Sequence, residues 1–150
     1  DRIQGRKISA MQACIGAVVG LVVITPAAGF ITIPQSFIFG FFGAIVSNIM
    51  MNAKFLRKID DTLDVFACHG IGGIMGMILT AIFANKPGSS LLYGGWGIFA
   101  SHMLVLVGVA VFSFIMSYAI LFILNKFVTL RVREEYEEIG LDLSQHGESV

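Results

Sequence analysis

Asp60-Asp-Thr-Leu-Asp-Val-Phe-Ala-Cys-His-Gly-Ile-Gly-Gly-Ile-Met-Gly-Met-Ile-Leu-Thr-Ala-Ile-Phe-Ala84 opens with three carboxylates and then stays apolar to its end. About 20 apolar residues in a helix cross a hydrocarbon core of ~30 Å. The one polar interruption of consequence is His69, followed by glycines at 70, 72, 73 and 76. An ionisable ring inside such a run is expensive, which makes His69 a candidate functional residue. On a helix, Asp61, Val65, His69, Gly73 and Gly76 share one stripe at spacings of four and three. Carboxylate, imidazole and glycine in that order could line a narrow path.

The rest of the 150 residues supports a membrane setting. The chain is 56% hydrophobic and only 13% charged, with mean hydropathy +0.83; soluble domains carry about 25% charged residues. No Asp, Glu, Lys or Arg occurs from Ile8 to Ala53 or from Pro87 to Asn125. With a net charge of zero and no basic patch, nothing points to nucleic acid. Cys14 and Cys68 lie in apolar runs and read as small buried hydrophobes without a disulfide. The chain opens on Asp1 with no signal-peptide pattern, and it fits a piece of something longer.

Four spans follow from the apolar runs, at about 9–29, 34–53, 62–84 and 97–129, making an all-α integral membrane fold. Gly16 and Gly20 in the first could let a second helix approach. Thr25-Pro26-Ala27-Ala28-Gly29 ends or kinks that span, and Pro34 suits the first turn of the next. Ser47, Asn48 and Asn52 place polar atoms near the end of span two, where helix-to-helix hydrogen bonds are the plain reading. Residues 85–96 form a loop with an aromatic turn. The last span exceeds what a bilayer needs, so tilt or protrusion is expected. His102, near its start, reads as an interfacial or packing residue.

Orientation follows from the basic residues. Arg2, Arg6, Lys7, Lys54, Arg57, Lys58, Arg131 and Arg133 fall on one side of a four-span chain, with Lys126 at its edge and only Lys86 opposite. The positive-inside rule places both termini in the cytosol. Residues 131–150 carry six of the ten acidic residues. They form a solvated tail whose Tyr136, Ile139, Leu141 and Leu143 suggest docking on a cytosolic surface.

A dry imidazole favours its neutral form, with one donor and one acceptor nitrogen. His69 can therefore hold a small neutral polar molecule or pass a proton; it can equally be a buried histidine bonded to a neighbouring helix. Both readings stand on the residues alone. Asp60 suits the helix cap and Asp61 or Asp64 the first turn, where the macrodipole favours negative charge, so all three read as structural. On a regular helix Asp61 and His69 are separated by roughly 12 Å of rise, which excludes a direct pair. No Ser-His-Asp set, Walker loop, paired cysteine ligands or dinucleotide fingerprint is present. The chain therefore reads as a transport or membrane-structural protein and not as an enzyme. No cofactor or metal is expected.

Three stretches carry a family resemblance. Asp60-Asp-Thr-Leu-Asp-Val-Phe-Ala-Cys-His-Gly-Ile-Gly-Gly resembles the D-D-x-x-D-V-F-x-x-H-G-x-x-G signature of the ammonium transporter family (Amt/Mep/Rh). Gly20-Leu-Val-Val-Ile-Thr-Pro-Ala-Ala-Gly29 is similar to a second family segment, and residues 130–149 resemble its cytosolic tail. The resemblance implies an eleven-helix fold of two inverted repeats and a long last helix, assembled as a homotrimer with one pore per protomer. Residues 1–130 then correspond to the final helices of the transmembrane domain and 131–150 to the regulatory tail. His69 matches the second of two pore histidines, Val65 falls on the same pore-facing stripe, and Asp61 and Asp64 take a structural or indirect role in transport. Also implied are ammonium/ammonia as cargo, a cell-membrane location, and possible binding of a PII-type signalling protein at the tail. The alternative is a stand-alone four-helix membrane protein in which His69 is only packed.

Overall fold

The computed structural model describes residues 10–53, 59–88 and 90–148. Arg2, Arg6, Lys7, Lys54, Arg57 and Lys58, six of the residues behind the orientation, lie outside them. The described secondary structure is helical throughout: α1 (Ala10–Ile24), α2 (Ile33–Met51), α3 (Gly72–Phe83), α4 (Trp96–Leu124) and α5 (Glu134–Ile139). A π-helical turn, Phe66–Ile71, leads directly into α3. With its 3-10 extension α1 reaches Ala27, and four helices are long and apolar enough to cross a membrane. The chain groups into two compact units, Asp1–Val107 and Gly108–Val150. The division falls inside α4, a 29-residue helix that buries none of its residues and so makes mainly local contacts.

In the first unit, α1, α2 and α3 pack on one another. Pro26 ends α1 in a 3-10 turn, and Gly29 adopts the left-handed conformation (φ 82°) that reverses the chain. Pro34 sits in the first turn of α2, where a missing N–H does no harm. Thr32 N donates to Gln35 Oε1 at 2.8 Å, closing that helix start. At the far end of α3, Asn85 N donates to the Phe30 carbonyl at 2.8 Å. The Gln35 and Asn85 amides also bond reciprocally, at 2.9 and 2.8 Å. These bonds put the end of α3 beside the start of α2, so α1 and α3 run parallel and α2 runs against them.

The core is Val19, Val23 and Ala27 of α1, Phe39 of α2, and Cys68 and Leu79 of the third helical stretch. Val23 is its hub. A Cβ on Gly43 would overlap the Val23 side chain, and one on Gly76 would overlap the Val23 carbonyl oxygen. Two glycines from different helices thus let α2 and α3 close on the same turn of α1, the small-residue packing that substitutes for hydrophobic driving force in lipid. Gly16 and Gly20, the pair prominent in the sequence, meet nothing within 4 Å. The rings of Phe39 and Phe83 add an edge contact at 6.1 Å.

Two expectations need correction. Cys14 is exposed rather than buried, because α1 turns only its Val19–Val23 side inward, while Cys68 is buried as expected. The stripe Asp61–Val65–His69–Gly73–Gly76 is not continuous. Gly76 packs against α1, whereas Gly73 faces open space. The two glycines are three residues apart in regular α3, and the roughly 60° between them spans the edge of the packed side.

In the second unit α4 carries a stacked Tyr118–Phe122 pair, with Lys126 Nζ lying 4.7 Å from the Phe122 ring centre. The tail folds into α5 and a π turn, Asp142–His146. Arg131 pairs with Glu137 at 3.3 Å and Ser144 Oγ donates to the Tyr136 carbonyl at 3.2 Å. Both contacts are solvent-exposed, and such ion pairs contribute ~0–1 kcal/mol.

Candidate functional site

The segment before His69 is built by its carboxylates. Asp64 has φ 52°, the left-handed conformation, which aspartate tolerates better than most residues. Asp64 N donates back to the Asp61 carbonyl at 3.1 Å, so residues 61–64 form a tight bend. The bend returns the Asp61 carboxylate to the helix start. Its Oδ1 accepts from Val65 N at 2.9 Å and its Oδ2 from Phe66 N at 2.8 Å. Two of the N–H groups that a helix start leaves without partners are thereby satisfied, next to the positive end of the macrodipole. Helical structure begins at Val65, later than the expected start near Thr62, because residues 61–64 are spent on the cap.

From Phe66 the chain makes the π turn that contains His69. Ala67 and Cys68 are buried, while Phe66 and His69 are exposed and Val65 is 50% exposed. Glycine at 70 suits this turn, since a Cβ there would lie 3.1 Å from the Phe66 ring. Beyond it, Gly72 and Gly76 face inward, and a Cβ on Gly72 would lie 3.2 Å from Val22 Cγ1. The third helical stretch therefore has two sides. Cys68, Gly72, Gly76 and Leu79 are packed, and Val65, Phe66, His69 and Gly73 look outward.

No hydrogen bond joins the His69 imidazole to another described residue, and the Asp61 carboxylate is engaged with backbone instead. The expected site residues thus divide by place: Val65 and His69 lie on the open side, and Asp61 and Asp64 lie in the cap beneath it. A cavity of about 260 Å³ opens at the cap, lined by Asp60, Asp61, Thr62, Asp64, Phe66 and others. Among the described residues no group of three potential metal ligands occurs. His102 lies apart from His69. It borders a cavity of about 250 Å³ with Phe30, Met77, Thr80 and Ile98, and its Nδ1 is buried without a hydrogen-bond partner.

Ser47 makes the helix-to-helix bond expected of the polar residues ending α2: its buried Oγ donates to the Ala67 carbonyl at 2.9 Å. Asn52 instead turns back to the Asn48 carbonyl of its own helix, at 2.7 Å. The Gln35–Asn85 pair was not apparent from the sequence, since its partners lie 50 residues apart. The signal for Ser47 was present in α2, where Phe39, Gly43 and Ser47 recur every four residues on the buried side.

Comparison with known proteins places this geometry. The family model described as Ammonium Transporter Family matches residues 1–150. The ammonium transporter of Bacillus subtilis is 40% identical, with 97% of this chain and 38% of that protein aligned. Ammonium transporter 1 of Schizosaccharomyces pombe is 39% identical over 99% of this chain and 33% of its own length. Among solved structures, the N240A mutant of Candida albicans Mep2 aligns with a TM-score of 0.78 at 34% identity, covering 95% of this chain and 34% of that one. Mep2 of Saccharomyces cerevisiae also aligns at 0.78, with 29% identity, covering 94% and 34%. The chain spans roughly a third of the length of these relatives. With the family matched from end to end and the same helical arrangement in its solved members, this membrane protein belongs to the ammonium transporter family.

Proposed function

We propose that the protein to which these 150 residues contribute moves ammonium across the cell membrane, with His69 and Val65 in the wall of its pathway. Ammonium is recruited at the outer face and deprotonated, and ammonia passes the imidazole. A neutral ring offers the small polar molecule one donor and one acceptor in an otherwise apolar passage. The single observation that carries this reading is the outward aim of His69 from a turn whose neighbours Ala67 and Cys68 are buried. A histidine that served only packing would face the three-helix core; His69 faces away from it. The stand-alone four-helix alternative needs a packed His69 and is not favoured.

Asp61 and Asp64 act indirectly, by fixing where the helix carrying His69 begins. Both ends of the chain are cytosolic in this reading, in keeping with its basic residues. Residues 131–150 form the regulatory tail of a homotrimer and offer a docking surface to a PII-type protein.

His69→Ala in the intact transporter tests the central claim. Methylammonium uptake is expected to fall at least tenfold, or to change in selectivity, at an unchanged amount of protein in the membrane. Wild-type uptake and selectivity in that variant would remove His69 from the pathway.

A further inference from the structure

Among the described residues, Ser47 departs from a pattern that four other helix hydroxyls share. Thr25, Ser36, Thr80 and Ser101 each donate to a carbonyl three or four residues back in their own helical turn, at 2.6–2.9 Å. Such back-bonding is the ordinary way for a hydroxyl to satisfy itself in a membrane helix. Ser47, 1% exposed, instead reaches across to the Ala67 carbonyl. That carbonyl belongs to the π turn Phe66–Ile71, two residues before His69. Side chains inserted into the backbone ladder are among the recognised causes of helix distortion, and single π turns concentrate at functional sites.

We infer that Ser47 is a positioning residue for His69: its hydroxyl holds the π turn that carries the imidazole and fixes its placement on the open side of the helix. The inference rests on the pathway reading of His69. The turn is held on both sides. Before it, the Asp61 carboxylate grips Val65 and Phe66. After it, Gly72 and Gly76 are locked against Val22, Val23 and Pro26. A π turn accommodates one residue more than the α-helical register, and each residue of an α-helix turns about 100°. Without the widened turn, the stretch before it would be rotated by about that angle against α3, turning Val65 and the Asp61 cap relative to the packed side of that helix. Ser47 touches no cargo in this scheme; it acts through the Ala67 carbonyl.

The test compares Ser47→Ala, Ser47→Thr and His69→Ala in the full-length transporter. It reads methylammonium uptake, the amount of protein in the membrane, and the rate at which diethylpyrocarbonate modifies His69, with His146 as internal reference. Ser47→Ala is expected to lower maximal uptake about three- to tenfold, the population change that one buried hydrogen bond supports. It should alter the His69 modification rate at least threefold while His146 is unaffected. Ser47→Thr keeps the hydroxyl and should hold both within twofold of wild type. An unchanged modification rate in Ser47→Ala overturns the inference, whatever happens to uptake. If that variant does not accumulate, Ser47→Cys keeps the volume with a weak donor, and a wild-type modification rate there is equally fatal. A shifted modification rate in Ser47→Ala with normal uptake in His69→Ala would leave Ser47 its positioning role and remove only the pathway reading.

Discussion

Replacing Gly76 with alanine would put a methyl group where the Val23 carbonyl oxygen already sits, with Pro26 Cγ only 2.8 Å away. Neither neighbour is the free end of a flexible side chain, so relief requires α3 to move off α1 as a body. Overpacking a closed site of this kind costs about 1–3 kcal/mol, and a backbone obstacle places Gly76→Ala toward the upper end. Gly73 is the natural control, one turn away in the same helix, where an added Cβ meets nothing within 4 Å. Gly73→Ala is expected to change stability by less than about 1 kcal/mol, within the helix-propensity difference between the two residues. Thermal or denaturant unfolding of the purified, intact transporter in detergent would compare the two variants directly. Equal losses from Gly73→Ala and Gly76→Ala, or no loss from Gly76→Ala, would refute the division of the third helical stretch into a packed and an open side. The reasoning on His69 would weaken with it, since the outward aim of the imidazole depends on the same division.

Two further outcomes test the supports of the site. Asp61→Ala removes the acceptor for Val65 N and Phe66 N and should destabilise the protein by about 1–2 kcal/mol, the range of a lost helix cap. Unfolding midpoints would check it, and a loss below about 0.5 kcal/mol would refute the cap. At the other end of the helices, a double-mutant cycle on Gln35→Ala and Asn85→Ala should return a coupling of about 1–3 kcal/mol, because either single change leaves a polar group without its partner. Additive losses would mean that the two amides do not work as a pair.

A membrane protein of four spans was legible in the residues because lipid leaves few solutions. A 20-residue stretch without charge must form a helix to satisfy its backbone, and Pro26, Pro34 and the charged segments mark where the helices stop and start. His69 stood out for the same reason, as a costly ring in an apolar run. What sequence could determine was therefore local: helix type, approximate ends, and which residue was out of place. Tertiary structure decided which side each residue faces. Periodicity put Gly76 on the stripe of His69 and Gly73; packing against Val23 and Pro26 took it to the closed side, and a uniformly apolar run does not mark in hydropathy where that boundary falls. Gly16, Gly20 and Gly43 all allow close approach by their spacing, and only the packing against Val23 shows that Gly43 uses it within this chain. In the sequence Asp60 reads as the helix cap, with Asp61 or Asp64 in the first turn. The left-handed bend at Asp64 made Asp61 the cap, since only that geometry brings its two oxygens onto Val65 N and Phe66 N.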